Sequence, residues 1–255
     1  MNPLFDGAQP WWASLTNVTA LAVLQELHKV SNKKIAIDLQ RFFKTQPGEY
    51  AAGDIFLGIK VPVTRTIAKR YENLTLKELS QLASSEFHEA RFCALVILVN
   101  RYKKAKSREE ERKYFDFYMG QLNRGNINNW DLVDVSAPTI GRYLLNEKSS
   151  LELLLKMSRS KDLWVRRTSI LFTFAALAIG ETKPTKKLST ALLEDDHDLI
   201  QKAVGWALRE VGKINPDELR AFLKKNGKKM SRTTLRYAIE KFSVKERKSW
   251  LESTR

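Results

Sequence analysis

Five segments of the chain share one frame: a polar or basic entry, then a dense row of small and aliphatic residues. They fall at 88–95, 128–134, 163–171, 199–208 and 231–239. With Arg91, Asn129, Arg167, Lys202 and Thr234 taken as equivalent, the steps are 38, 38, 35 and 32 residues. Self-similarity at that period is the mark of stacked helix pairs, each too small to bury its own apolar face. A non-repetitive helical bundle is the alternative that spacing leaves open.

Local signals are helical throughout. Leu21, Leu24, Leu27 and Val30 predict one apolar face of a helix over about 14–30. Thr75/Glu78, Ser107/Glu110 and Ser243/Glu246 have capping-box spacing, and Asn215-Pro216-Asp217-Glu218 joins an N-cap to a first-turn proline and two acids. Gly180, Gly212 and Gly227 follow helical segments, where a left-handed C-terminal residue is wanted. About a dozen helices of 9–18 residues are expected and no strand; eleven Gly and seven Pro are too few for a sandwich or barrel. A chain of 255 residues buries about three quarters of its unfolded surface, so no disulfide or metal is required for a core. The expected fold is all-α: a right-handed α-solenoid of HEAT-like helix-pair repeats with a concave basic face. Residues 1–13, which include Trp11-Trp12, are expected to be an N-terminal tail, and 14–255 a single repeat domain.

Charge narrows the partners. Lys and Arg number 44 against 29 Asp and Glu, a net of +15. Residues 201–255 alone hold 15 basic and 6 acidic residues, a net of +9. A surplus of this size points to nucleic acid or an anionic membrane surface. Arg166, Arg167, Arg209, Arg232 and Arg236 sit inside amphipathic, aromatic-bearing segments, which favours a binding groove over a tail. A membrane surface would want an exposed, weakly packed helix, so nucleic acid is the better fit.

One cysteine, Cys93, excludes an intramolecular disulfide and a Cys-based zinc site. His28, His88 and His197 are scattered singly, without metal-binding spacing, so no metal and no cofactor are expected. The N-terminal residues lack a basic region ahead of an apolar one, and no apolar run approaches 18 residues. An intracellular, cytoplasmic protein with no membrane association is the expectation.

Chemistry concentrates around three tryptophans on repeat helices, Trp130, Trp164 and Trp206. A lone Trp is most often core. An acid in a helix interior is less comfortable: Asp134 sits among Leu132, Val133 and Val135 and needs a partner or a purpose. Trp130 and Asp134, four apart, share one face, whereas Asp131 reads as a first-turn acid. Aromatic faces beside an acid suit a cationic ligand, each ring contributing about 0.5–2 kcal/mol.

The stretch Asn129-Trp130-Asp131-Leu132-Val133-Asp134, followed by Pro138 and Gly141, resembles the W-D-x-V-D signature of AlkD-like DNA alkylation-repair glycosylases. Three further stretches resemble the same family in the same order: Phe56–Pro62 with Arg65 beyond, Leu163-Trp164-Val165-Arg166-Arg167, and Ile200 to Arg209 continuing to Asp217. Together they span about residues 50–240. The resemblance implies a monofunctional glycosylase that hydrolyses the N-glycosidic bond of N3- or N7-alkylated purines in double-stranded DNA, without metal or cofactor. By motif position, Trp130 and Trp206 would wall the site and Asp134 would be the catalytic carboxylate. Arg167 would hold the DNA backbone, with Arg166 beside it as the alternative, and Trp164 accompanies them. Arg209, Lys60, Arg65 and Arg232 would be phosphate contacts. A solenoid that wraps a duplex needs no partner subunit, so a monomer is expected. The competing readings are a non-catalytic DNA-binding paralogue and a protein-interaction scaffold of the same repeats.

Overall fold

The computed structural model describes residues 18–254, so Trp11-Trp12 lie outside the described residues. Within them the fold is all-helical, consistent with the expected α-solenoid, and strand pairing is limited to an isolated bridge between Ile55 and Phe87. The chain divides into two compact units, the first ending at Ile97 and the second beginning at Leu98.

The first unit contains α1 (Ala20–Lys29), α2 (Lys33–Phe42), α3 (Val61–Arg70), α4 (Leu76–Ala83) and the start of α5 (His88–Lys103). Helix α1 packs on α3 and α4. Thr19 caps α1 by accepting from the Ala22 N–H, so this helix starts later than the apolar pattern suggested. The expected apolar face is also displaced. Ala20, Val23 and Leu27 are buried, while Leu21 is 63% and Val30 44% exposed. Alanine at position 20 carries little hydrophobic signal, yet a close helix contact favours its small size.

This unit is tied together by buried charge. Glu89 accepts three backbone N–H bonds, from Leu57 (2.9 Å), Gly58 (2.8 Å) and Ile59 (3.1 Å). Gly58 adopts φ +79°, and a Cβ there would lie 2.1 Å from the Asn32 carbonyl oxygen, so only glycine fits. Asp54 pairs with both His88 and Arg91, and the His88 ring stacks on Phe56 at 4.3 Å.

The second unit continues with α6 (Arg108–Asn123), α7 (Trp130–Ile140), α8 (Ser150–Met157), α9 (Leu163–Phe172), α10 (Phe174–Ala178), α11 (Lys183–Ala191), α12 (Asp198–Ile214), α13 (Pro216–Asn226), α14 (Arg232–Ala238) and α15 (Val244–Ser253). Fifteen α-helices are therefore seen among the described residues, more than the dozen expected, because short pieces such as α10 were not separable by period. One row of helices runs α7, α9, α12, α14, each packed on the next. Against it lie α6 on α7, α8 on α9, and both α11 and α13 on α12, with α8 also touching α11. This is helix-pair stacking, in which neighbouring pairs bury one another's apolar stripes.

The N-terminal signals act as their spacing requires. Thr75, Ser107 and Ser243 accept from the N–H of Glu78, Glu110 and Glu246, and Asn215 accepts from Asp217 and Glu218. The glycines differ. Gly180 is left-handed (φ +83°), but Gly227 is not, and Gly212 lies inside α12 against Leu219. A helix contact and a C-terminal cap both call for glycine, and only the partner helix tells them apart.

Gly205 is the tightest such contact. A Cβ there would lie 2.4 Å from the Tyr237 Cβ and 2.7 Å from the Thr234 carbonyl oxygen. Alanine would gain about 1 kcal/mol of helix propensity, but the clash with backbone of α14 outweighs it. Gly205→Ala is expected to lose about 1–3 kcal/mol in denaturant unfolding. Unchanged or increased stability would contradict this close α12–α14 contact.

The repeat register also needs correction. Arg91 donates to the carbonyls of Ser85 and Glu86 and pairs with Asp54. Arg166 donates to the carbonyls of Ser160 and Lys161, at the same offsets of six and five residues, and pairs with Asp195. Both stand three residues beyond the first residue of their helix. Arg91 is thus the equivalent of Arg166, not of Arg167.

Candidate active site

Helix α7 carries the candidate acid. Asn129, in extended conformation, caps it by accepting from the Trp130 N–H at 2.8 Å. That places Trp130 at the first helical position, Asp131 in the first turn and Asp134 one turn further on. Pro138 stands four residues beyond Asp134, inside the helix. It has no N–H to offer, so the Asp134 peptide carbonyl lacks its normal i+4 donor. The helix is therefore locally weakened at the residue that carries the carboxylate.

Helix α9 supplies the partner. Asp162 caps it by accepting from Trp164 and Val165, which fixes the rotation that turns Arg167 toward α7. The Arg167 guanidinium meets Asp134 in a fork, Nε to Oδ1 at 2.9 Å and Nη2 to Oδ2 at 2.8 Å. Its Nη1 donates to the Leu199 carbonyl in the first turn of α12. The Arg167 side chain is only 5% exposed and that of Asp134 19%. Thus one arginine links α7, α9 and α12, and the acid keeps a limited opening to solvent.

Burial pushes the Asp134 carboxyl above the ordinary carboxylate value; Arg167 opposes this, and Asp131 adds to it. Acceptance on both oxygens from a guanidinium fits the ionised acid, which retains a second lone pair on each oxygen. Tyr118 of α6 is fully buried and lies within the field of Asp134. Burial pushes its phenol up to about 12, so it adds no charge. Nothing in its sequence context marked Tyr118.

Trp206 is half-buried on α12. Its ring meets Phe174 edge-on at 4.7 Å, and its Nε1 donates to Glu210 at 3.1 Å. Phe174 opens α10, which contacts α7, α9 and α12. Trp130 is likewise half-buried, whereas Trp164 is buried.

The predicted phosphate contacts fall in different settings. Arg166 is held by Asp195 at 2.7 Å, in a cleft also lined by Glu194, Asp196 and His197. Arg209 pairs with Glu240. Arg232 is exposed and donates to the Leu251 carbonyl at 2.9 Å. Lys60 and Arg65 are exposed at the start of α3, in the first unit. Asp134 and Arg167 are directly bonded to one another; the pairings of Arg166 and Arg209 are ones the sequence did not signal. Among the described residues, no group of three or more His, Cys, Asp or Glu is placed to hold a metal ion, and no helix is long and apolar enough to cross a membrane.

A helix-pair repeat protein with an arginine-clamped carboxylate, on a helix that opens with a half-exposed indole, is the class that fold and site define together. The chain belongs to the DNA alkylation repair enzyme family, whose model matches residues 23–242. Its fold is similar to that of a solved structure, a predicted DNA alkylation repair enzyme from Enterococcus faecalis. The two share 18% sequence identity with a TM-score of 0.64, over 84% of this chain and 97% of that one. No curated protein matches the chain.

Proposed function

We propose that this protein is a monofunctional DNA glycosylase that releases N3- or N7-alkylated purines from duplex DNA. The observation that carries the reading is the Arg167–Asp134 fork, an ionised carboxylate held half-hidden on a helix that also presents Trp130. Family membership supplies alkylated DNA as the substrate class.

Alkylation at N3 or N7 leaves the purine positively charged. When the C1′–N bond breaks, both electrons go to the base, which departs neutral and needs no proton from the enzyme. Positive charge moves to the sugar as an oxocarbenium-like ion. Asp134 opposes that charge and accepts a proton from the water whose oxygen bonds to C1′. The products are free alkylpurine and an intact strand with an abasic site. Trp130 and Trp206 face the cationic base before it leaves. Arg167 is a positioning residue here: its three bonds to Asp134 and Leu199 orient the carboxylate and oppose its protonation. Arg166, Arg209, Arg232, Lys60 and Arg65 contribute positive charge toward the DNA backbone, and the enzyme works as a monomer without metal or cofactor.

A salt titration of duplex binding, run beside an assay for free 7-methylguanine and 3-methyladenine, tests this. The expected result is base release together with binding that weakens about 10³–10⁵-fold between 50 and 200 mM salt, the loss for 6–10 phosphate contacts. Salt-sensitive binding without base release would leave a DNA-binding paralogue, and no binding at all would leave a protein scaffold.

A further inference from the structure

A gathering of four cations lies between α14 and α15. Arg232 and Arg236, one turn apart on α14, and Arg247 and Lys248 on α15 line an open hollow of about 580 Å³, with Glu252 as the one acid and aliphatic side chains between them. The neighbouring acids are already used: Glu240 by Arg209 and Lys241, and Glu246 by Arg220. Among the described residues, none of the four cations is in an ion pair, whereas Arg91, Arg166, Arg167, Arg209 and Arg220 all are. Four like charges around one hollow repel one another, and an anion placed among them relieves that repulsion.

The hollow also has a defined relation to Asp134 within the second unit. Arg167 of α9 donates to the Leu199 carbonyl, and Thr234 of α14 donates to the Gln201 carbonyl. Both therefore reach the first turn of α12, from its two sides. The start of α14, where Arg232 stands, therefore packs on the helix whose first turn Arg167 also reaches.

We propose that the α14–α15 hollow is a second DNA-backbone site, gripping phosphates to one side of the lesion. The inference rests on the proposed action on duplex DNA. Phosphates meet the four cations, while deoxyribose faces lie on the aliphatic side chains. The contact is blind to sequence and lengthens the footprint without touching the reacting base.

The test uses the double variant Arg236→Gln/Lys248→Gln, since both side chains are exposed. Duplex affinity is measured by fluorescence anisotropy over about 50–200 mM salt. Loss of two phosphate contacts makes the log–log salt slope shallower by about 1.8. Wild-type protein should bind a duplex with about ten base pairs beside the lesion more tightly than one with about three, and the variant should lose that preference. If the wild type binds duplex and releases base but the variant's slope is unchanged, this inference is wrong and the glycosylase reading stands. A variant that loses binding to phosphatidylserine vesicles while keeping its DNA slope assigns the hollow to a membrane and overturns the proposal. A shallower slope in a protein that releases no base keeps the hollow as a DNA site and removes the glycosylase reading. No duplex binding by the wild type overturns both.

Discussion

Asp134→Asn lowers single-turnover release of alkylpurine by about 10²–10³-fold, the usual cost of removing one group that stabilises developing charge. Asparagine keeps the size of the side chain and removes its charge, so the sugar cation loses its counter-charge and the water loses its proton acceptor. Duplex binding should stay the same or tighten, because the protein gains one net positive charge. The variant is also less stable. Its amide nitrogen or oxygen must face an Arg167 that is 5% exposed and has no other carboxylate bonded to it. Removing one member of such a pair costs about 3 kcal/mol. Rates are therefore compared well below the unfolding temperature, with duplex affinity as the control for folding. Base release equal to wild type would mean that Asp134 takes no part in the chemistry.

Arg167→Ala produces the second large effect, and it has a pH signature. In the native protein, burial raises the Asp134 pKa and Arg167 counters that rise. With Arg167 gone, the opposing influence disappears and the pKa climbs further. Activity that requires ionised Asp134 then fails at higher pH, so the acidic limb of the rate profile moves toward neutrality. Stability carries the matching sign. An acid whose folded pKa lies above its unfolded value favours folding when protonated, and that contribution is lost as pH rises through the folded pKa. The deficit of Arg167→Ala against wild type is therefore smallest in acid and grows toward neutral pH. Arg167→Lys keeps the charge but not the fork, and should restore part of both properties. A rate profile that falls uniformly, with no displacement along the pH axis, would instead assign Arg167 to DNA contact alone.

Asp134 was legible because an acid among Leu132, Val133 and Val135 is unfavourable unless something compensates for it. Its i,i+4 relation to Trp130 followed from helix geometry alone. Its partner did not. Arg167 lies 33 residues away on another helix, and a basic residue in an amphipathic segment looks the same whether it meets a phosphate or a carboxylate. Arg166 and Arg209 illustrate this, both held by acids in later turns, Asp195 ahead of α12 and Glu240 after α14. Helix starts were readable because a cap and the N–H it accepts from are three residues apart. The buried face of α1 and the place of Gly212 were not, since small residues are chosen there by the neighbouring helix. The repeat period was visible, but its register was one residue off at Arg167, because Arg166 has the bonds that Arg91 has.

The fate of a labelled methyl group tests the central claim most directly. A duplex carrying 7-methylguanine labelled on its methyl group is incubated with the protein, and label is followed in free base, in DNA and in solution. The account predicts that label leaves as intact 7-methylguanine, one molecule per abasic site, with the strand uncut until alkali is added. Label that leaves without the purine, or that stays in DNA bound in equal amount by the protein, would contradict it.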